Sequence, residues 1–437
     1  MLLPNGDSDD ARTVVLVPVV ARDSGGVLQY SDTVAAALEH RPDGGRVALI
    51  AMSSRAKDLE PDVFTFGRWS HRPLYPPSMP RRLRTALAPT GLGRLARGIR
   101  AAGGRRRDWS SFAVADITVD EQHASWVAAQ GADLAIYPWP TSLALQRQVR
   151  CLVAVHDLQH LHSAHFPEVS AEGEAFRREA LFQRLAACAD GILVDSDVGK
   201  EDFLKAYAIH GAQAERTFVL PFAVAPQLSS VPSPVDIERI REELRLPKQY
   251  VLFPAAFWQH KNHGRFVDAA ARVMRDEPNM QVVFTGAASN RTRSATHAEV
   301  LRRIARSSFP ERFHDIGFVS AGSMAAVIAG ARALALPTFF GPTNIPIVEA
   351  WAHGVPALTS DIRGIREQCQ GAAVLVNPAD VHSMAAGLEQ LWCNYELRAS
   401  LVAEGRRRFA AYGRPEFTAR LWDIVERTIA GPKRCID

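Results

Sequence analysis

Short runs of aliphatic and β-branched residues alternate with longer stretches of mixed polarity, and this alternation occurs in both halves of the chain. Runs that are apolar at almost every position are typical of parallel strands with both faces buried. The stretches between them, such as 174–189, repeat apolar residues at helical spacing. The pattern predicts strands at 13–20, 46–52, 133–139, 151–157, 191–196, 250–258, 281–287, 313–319, 332–340, 356–360 and 373–378.

The domain organisation follows from the length and from one break in the pattern. A chain of 437 residues is too long for one ordinary core, and residues 226–236, rich in Pro and Ser, are typical of a linker. We predict an α/β protein with two doubly wound, Rossmann-like domains at 1–225 and 237–415. The last helical stretch, within 416–437, fits either domain, and we place it back on the N-terminal one. Ligands bind beyond the carboxyl ends of such strands, so a cleft between the domains is the expected site.

Composition narrows the class of protein. Hydrophobic residues make up 47% and charged residues 22%, as in soluble globular proteins. No apolar run approaches the ~20 residues of a membrane span, and the start MLLPNGDSDD lacks the basic segment of a secretory signal. The five cysteines are scattered and odd in number, which suits a reducing compartment. We therefore expect a cytoplasmic protein.

The basic residues are unevenly distributed. Residues 72–107 contain ten arginines and no Asp or Glu, although the net charge of the whole chain is only +4. This segment is either a solvated insertion or a surface for anionic lipids of the inner membrane face or for a phosphate-bearing acceptor. Nucleic acid is not an expected partner, because aromatic residues are not interleaved with the arginines.

The segment 336–361 carries the most informative chemistry of the second half. A strand ends in a Gly-Pro turn, and a short helix is predicted from Ile345 to His353. The amides of Thr343, Asn344 and Ile345 would then lie at a helix N-terminus, where phosphate oxygens bind. Glu349 is either an acceptor for the two hydroxyls of a ribose or an ordinary glutamate favoured by the helix dipole.

A second strand end, 254–266, carries a cation. Lys261 is one of six lysines in the chain and follows an apolar strand, where an ammonium group can neutralise a diphosphate. For the next residue, Asn262, the structural interpretation is that its side chain caps the helix that follows.

The stretch 156–168, HDLQHLHSAHFPE, contains four of the chain's fourteen histidines. His156 and Asp157 follow the strand predicted at 151–157, at the edge where a site is expected. We do not expect a metal here, because His156 is at a strand end and no carboxylate completes an HExxH pattern. The other three histidines, His160, His162 and His165, are interpreted as loop packing or acceptor contacts.

Together these segments resemble family 4 of the retaining glycosyltransferases, which have the GT-B fold. The resemblance rests on 346-PIVEAWAHGVPALTSD-361, 339-FFGPTNIPIVEA-350, 258-WQHKNH-263 and 364-GIREQCQGAAVLVNPAD-380. The stretch 151-CLVAVHDLQH-160 resembles the strand-His-Asp segment of that family. Residues 156–168 are especially similar to bacterial mannosyltransferases of surface-polysaccharide synthesis.

The resemblance implies roles for the candidate residues. Glu349 would bind the ribose of a sugar nucleotide and Lys261 its diphosphate. His156 would lie beside the acceptor and the donor sugar, with Asp157 orienting the imidazole or structuring the turn. Gly25 and Gly26 would form the glycine loop near the donor phosphates.

The resemblance also implies a reaction. A sugar, with GDP-mannose as the preferred donor, would move with retention to a saccharide or polyprenyl-linked acceptor in cell-surface polysaccharide synthesis. No metal or other cofactor is expected. The stretch Asp195-Ser196-Asp197 is therefore interpreted as a helix cap rather than a metal site.

The sequence departs from the family at two positions. Many members have a second glutamate where this chain has Gly341, and an arginine where it has Ala256. Backbone amides of the 342–344 turn and Arg265 are the candidate substitutes. Two alternatives remain open: a nucleotide-sugar epimerase of the same fold, and a catalytically degenerate sugar-nucleotide-binding subunit.

Overall fold

A computed structural model describes residues 11–18, 26–53, 69–75, 117–146, 148–288 and 291–434. These residues form two compact units. The first comprises the described residues of Met1–Leu161, Glu172–Leu220 and Phe417–Asp437, and the second comprises those of His162–Ala171 and Pro221–Glu416. Residues 162–171, which the sequence analysis assigned to the N-terminal domain, thus group with the second unit.

Each unit is built on a parallel sheet. In the described residues the first sheet has the order β3-β2-β1-β4-β5-β6-β7 and the second the order β10-β9-β8-β11-β12-β13. Strands β4, β5, β6, β8, β9, β11 and β12 are buried almost throughout, which explains their uninterrupted apolar sequence. The strands are β1 (Arg12–Leu16), β2 (Val47–Ser53), β3 (Trp69–Pro73), β4 (Leu134–Tyr137), β5 (Arg150–Ala154), β6 (Gly191–Val194), β7 (Thr217–Val219), β8 (Val251–Pro254), β9 (Val282–Thr285), β10 (Phe313–Asp315), β11 (Ala333–Leu336), β12 (Ala357–Ser360) and β13 (Val374–Val376).

In the described residues, helices lie between most of the strands that follow one another in the chain, as parallel pairing requires. The helices described are α1 (Gly26–Leu38), α2 (Glu121–Ala128), α3 (Gln159–His162), α4 (Pro167–Ser170), α5 (Glu174–Cys188), α6 (Asp197–Tyr207), α7 (Pro234–Glu243), α8 (His263–Val273), α9 (Arg291–Ala305), α10 (Ala321–Ala329), α11 (Ile345–Ala352), α12 (Arg363–Cys369), α13 (Val381–Cys393), α14 (Tyr395–Phe409) and α15 (Arg414–Ala430). Among the described residues, no helix is long and apolar enough to cross a membrane.

All eleven predicted strands are present, and the described residues form two further strands that the apolar pattern did not predict. The missed strands, β3 and β7, lie at the two edges of the first sheet. Strand β3 exposes most of its residues, and β7 is only three residues long. Edge strands carry weak hydrophobic patterns because only part of their surface is buried, so the pattern of apolar positions does not reveal them.

Two regions at the ends of the second unit refine the expected boundaries. The range 226–236 is not irregular throughout: a 3₁₀ turn spans Pro226–Leu228, with Leu228 buried, and α7 begins at Pro234. From Phe417 onward, α15 packs on the first unit. There the Trp422 indole N–H donates to the carbonyl oxygen of Ala37 at 3.2 Å.

In each sheet the strand order changes direction beside the strand that comes first in the sequence of that sheet, β1 or β8. The reversal lies between β1 and β4 in the first unit and between β8 and β11 in the second. At such a switch point the loops that leave two adjacent strands run to opposite faces of the sheet, and this opens a crevice at the carboxyl edge. The loops after these strands are therefore the places to look for a ligand site in each unit.

Candidate functional site

In the second unit, the loops after β8 and β11 are joined through one carbonyl group. The carbonyl oxygen of His260 accepts the Phe339 N–H at 2.8 Å and the Thr338 hydroxyl at 3.1 Å. His260 belongs to a 3₁₀ turn, Gln259–Lys261, so Lys261 lies directly at this junction. The structure thus places the predicted diphosphate-binding lysine at the switch point of the second sheet.

Asn262 fixes the same junction, in a way that the sequence did not reveal. Its side-chain amide donates to the carbonyl oxygens of Pro337 at 2.9 Å and Pro378 at 2.7 Å, and both bonds are buried. The expectation that this side chain caps the next helix is therefore wrong, because the amide is already committed to two other loops. Its backbone is left-handed, with φ of 69°, a conformation that Asn tolerates better than most residues.

Two arginines near this edge lie on the helices that follow β8 and β9. Arg265 is exposed on α8, with its guanidinium carbon 5.2 Å from the ring of Phe339. Arg293, which the sequence analysis missed, is buried on α9, and its guanidinium carbon lies 4.7 Å from the ring of Trp258. The loops after β8 and β9, which lead into these helices, adjoin, because a Cβ at Gly286 after β9 would lie 2.8 Å from the backbone nitrogen of Ala256.

Helix α11 begins at Ile345 as predicted, but one of the three expected amides already has an acceptor. The Asn344 N–H donates to the Gln368 side-chain oxygen at 2.9 Å, and the Gln368 amide donates to the Asn344 carbonyl at 2.9 Å. The prediction that the Asn344 amide binds phosphate is therefore wrong for this conformation. The amides of Thr343 and Ile345 stay predictions, and Pro346 has no N–H to contribute.

Glu349 is 3% exposed on α11, one turn beyond the loop that follows β11. A glutamate that only complements a helix dipole stays in water, where its carboxylate is solvated at no cost. Burial of Glu349 therefore disfavours that structural alternative, because a buried carboxylate needs specific partners. Its binding to a ribose stays a prediction.

Gly341, at the position where the sequence analysis noted the absence of a second glutamate, has a backbone conformation that favours glycine. Its φ is 122°, which residues with a side chain rarely adopt, and an added Cβ would lie 3.1 Å from the carbonyl oxygen of Thr343. The backbone of this turn is therefore built around glycine.

In the first unit, His156 follows β5 and contacts residues from two neighbouring segments. Its Nε2 lies 2.9 Å from the carbonyl oxygen of Pro138, which follows β4, and its ring meets Tyr30 of α1 edge-on at 4.9 Å. Because a carbonyl can only accept, Nε2 carries the proton and Nδ1 is the acceptor nitrogen of the neutral ring. Burial lowers the pKa of His156, which favours this neutral form near pH 7.

Asp157 structures the turn that presents His156. Its carboxylate accepts the Arg178 guanidinium at 2.6 Å and the Gln159 backbone N–H at 3.0 Å. Burial would raise the pKa of Asp157, but Arg178 and the backbone N–H outweigh it and hold that pKa below its ordinary value. The carboxylate is therefore ionised and anchored to α5.

The other three histidines of the stretch 156–168 have surroundings of their own. His160 is buried, with Nε2 3.0 Å from a Glu179 oxygen and 3.2 Å from the Tyr207 hydroxyl. His162 and His165 are exposed and belong to the second unit. In the parts of the chain that the structure describes, no group of three or more His, Cys, Asp or Glu is placed to hold a metal ion.

The predicted cap at Ser196 is confirmed. The Ser196 hydroxyl accepts the Gly199 N–H at 3.0 Å at the start of α6, and Asp197 is the first residue of that helix. Of the predicted glycine loop, Gly26 is the exposed first residue of α1, and Gly25 lies outside the described residues. Of the basic segment 72–107, only 72–75 lies within them.

Two Rossmann-like units with parallel sheets define the GT-B class of fold, which confirms the expected fold class. Sucrose-phosphate synthase from Thermosynechococcus elongatus is similar over 96% of this chain and 99% of its own, with a TM-score of 0.70 and 17% identity. Anabaena Alr3699/HepE, solved in complex with UDP-glucose, is similar over 95% and 99%, with a TM-score of 0.67 and 15% identity. The expected cleft between the domains stays a prediction.

The family is indicated by the second unit. Residues 248–394 match the family described as Glycosyl transferases group 1, which supports the expected relationship to glycosyltransferases. The MMP alpha-(1->4)-mannosyltransferase of Mycolicibacterium hassiacum is 26% identical over 223 residues, which is 49% of this chain and 52% of that protein. The chain spans 58% or less of the length of the curated relatives that it matches.

Proposed function

We propose that the protein is a retaining glycosyltransferase of family 4 type, whose second unit binds a nucleoside diphosphate sugar. The observation that carries this proposal is the buried Glu349 on α11, beside the β8/β11 switch point and inside the group 1 domain. A carboxylate there can accept both hydroxyls of a ribose.

The leaving group requires positive charge and N–H donors. Lys261 and the amides of Thr343 and Ile345 stabilise the diphosphate as the bond to the anomeric carbon breaks. Arg265 and Arg293 are the cations that stand in for the missing arginine at Ala256. An exposed aromatic side chain, Phe318, lies just beyond β10 at the same edge of the sheet and offers a flat surface for the nucleobase.

His156 serves the acceptor side in the first unit. The leaving phosphate takes the acceptor proton in a front-face reaction, so His156 positions the sugar and the acceptor without acting as an obligatory base. The neutral ring favoured by burial fits this role, because a neutral Nδ1 accepts a hydrogen bond from a hydroxyl.

The donor sugar is proposed to be mannose, carried by GDP. The resemblance at 156–168 and the mannosyltransferase relative support this choice. The structural neighbour solved with UDP-glucose makes a UDP-sugar the first alternative to test. The acceptor is a saccharide, or a polyprenyl-linked saccharide, of a surface polysaccharide. The protein acts on this acceptor in the cytoplasm, and the transfer uses no metal cofactor.

A catalytically degenerate sugar-nucleotide-binding subunit is the second candidate. The positive φ of Gly341 and the tight contact that a Cβ would make with the Thr343 carbonyl favour it, because both disfavour the family's second glutamate at this turn. That protein would bind a donor but transfer no sugar. An epimerase would instead convert the sugar nucleotide without any acceptor.

Thermal unfolding with GDP-mannose, UDP-glucose and their nucleoside diphosphates tests the proposal. A ligand at one hundred times its Kd stabilises the fold by ~2.7 kcal/mol. We expect a shift for the wild type and for Glu389→Gln, which removes an exposed carboxylate, and none for Glu349→Gln. If no sugar nucleotide shifts the folded wild type, the proposed donor site is wrong. Assays with the donor that binds, with and without an acceptor, then distinguish the three candidate functions. A transferase moves the sugar to the acceptor, a binding subunit moves none, and an epimerase converts the donor without an acceptor.

A further inference from the structure

The segment 162–171 packs on the loops of the β8/β11 switch point within the second unit. Phe166 is buried, and its ring lies 5.5 Å from the ring of Phe339 and 5.6 Å from that of Phe340. Val169 belongs to the same apolar cluster. Glu168 lies between Phe166 and Val169 in the chain, so this packing brings it against the loop that carries Lys261.

Glu168 holds His260 by two hydrogen bonds to one carboxylate oxygen. Its Oε1 accepts the His260 backbone N–H at 2.8 Å and lies 2.5 Å from the imidazole Nδ1. The Glu168 side chain is only 5% exposed, and its other oxygen has no hydrogen-bond partner among the described residues. A carboxylate so buried is stable only if its partner is held firmly.

The charge of Glu168 is maintained by these bonds. Burial would raise the pKa of Glu168, but the side-chain and backbone hydrogen bonds from His260 outweigh it and lower that pKa. Glu168 is therefore ionised near pH 7. A charge-assisted hydrogen bond is roughly twice as strong as a neutral one, so it fixes the imidazole more firmly than an amide would.

His260 transmits this constraint to its neighbours. Its ring stacks on Phe340 at 3.9 Å with an interplanar angle of 15°, and its carbonyl accepts from Thr338 and Phe339. Lys261 is the next residue in the same 3₁₀ turn. With the ring, the N–H and the carbonyl of His260 all fixed, the backbone that aims the Lys261 side chain has little freedom.

We propose that Glu168 is a positioning residue for the nucleoside diphosphate site, acting through His260 on Lys261. This inference rests on the proposed function, because it assumes that Lys261 meets the donor diphosphate. Glu168 itself does not touch the donor. Its effect on nucleotide affinity therefore depends on the presence of the Lys261 ammonium.

A double-mutant cycle tests this dependence. Calorimetric Kd values for GDP and for UDP are measured on the wild type, Glu168→Gln, Lys261→Met and the double variant, with Glu389→Gln as the matched control for loss of one acidic side chain. For the nucleotide that binds, we expect Glu168→Gln to weaken binding about ten-fold, the size of one lost charge-assisted bond. In the Lys261→Met background the same substitution is expected to change Kd less than about two-fold, and Glu389→Gln to change nothing.

The outcomes separate the inference from the proposed function. An equal loss with and without Lys261, as a general structural role would give, overturns the inference alone, and so does an unchanged Kd in Glu168→Gln. If the folded wild type binds neither nucleotide, the proposed function fails and the inference falls with it. Should Glu168→Gln not fold, His260→Gln removes the same ring contact, and the same cycle with Lys261→Met decides the question.

Discussion

Replacement of Asn262 is expected to loosen the switch point of the second unit, because its side chain holds two other loops there. The Asn262 side chain satisfies the carbonyls of Pro337 and Pro378, which lie 75 and 116 residues away along the chain. Leaving a buried acceptor without a donor costs about 1–3 kcal/mol. Two such acceptors give a loss of about 2–6 kcal/mol in the free energy of unfolding.

Two variants separate the hydrogen bonds from the backbone conformation. Asn262→Gly removes both bonds but suits the left-handed φ of 69°. Asn262→Ala removes the same bonds and adds about 1 kcal/mol of backbone strain. We therefore expect the order of stability wild type, then glycine, then alanine, with the glycine variant melting about 4 °C or more below the wild type.

The assay must report on the second unit by itself. Hydrogen exchange of peptides that cover 251–262 and 333–344 follows the two loops directly, and urea unfolding gives the free energy. Free energies of unfolding that lie within about 0.5 kcal/mol of the wild-type value for both variants would refute the argument, since ordinary surface substitutions have effects of that size. An alanine variant more stable than the glycine variant would refute the part that concerns φ.

Three further predictions follow from individual contacts. Gly341→Glu, which restores the family residue, is expected to lower stability by about 1–3 kcal/mol and to give no gain in transfer, because φ is 122° and the Thr343 carbonyl is close; urea unfolding and initial rates measure both. His156→Gln can still donate to the Pro138 carbonyl, and we expect kcat to fall about 100-fold with an unchanged Kd for the nucleotide. Burial lowers the pKa of His263 from 6.5 to about 3, so the unfolded chain binds this proton first and stability falls as the pH drops below 6.5. In His263→Gln the urea midpoint is expected to decline less over that range, and a parallel decline would contradict the assignment.

Much of the architecture is determined by the sequence alone. The runs around Val14, Leu252 and Leu334 are apolar at almost every position, and such runs are typical of strands in a parallel sheet that helices cover on both faces. Thus the eleven predicted strands, the helix that begins at Ile345 and the cap at Ser196 could all be predicted from local patterns. Local patterns suffice because these elements depend on periodicity and on capping within a few residues.

Only the tertiary structure decided how the candidate site is assembled. Glu168 and His260 are 92 residues apart, and the Asn344 amide is bound by Gln368, 24 residues away. Each of these pairs depends on which strand ends are neighbours and on the exact path of two loops. The sequence pattern marks the loops as polar, but it cannot show which donor meets which acceptor. Hydrogen bonds are directional and short in range, whereas burial of apolar surface is not directional, so the fold can be predicted from the sequence while the polar contacts of the site cannot.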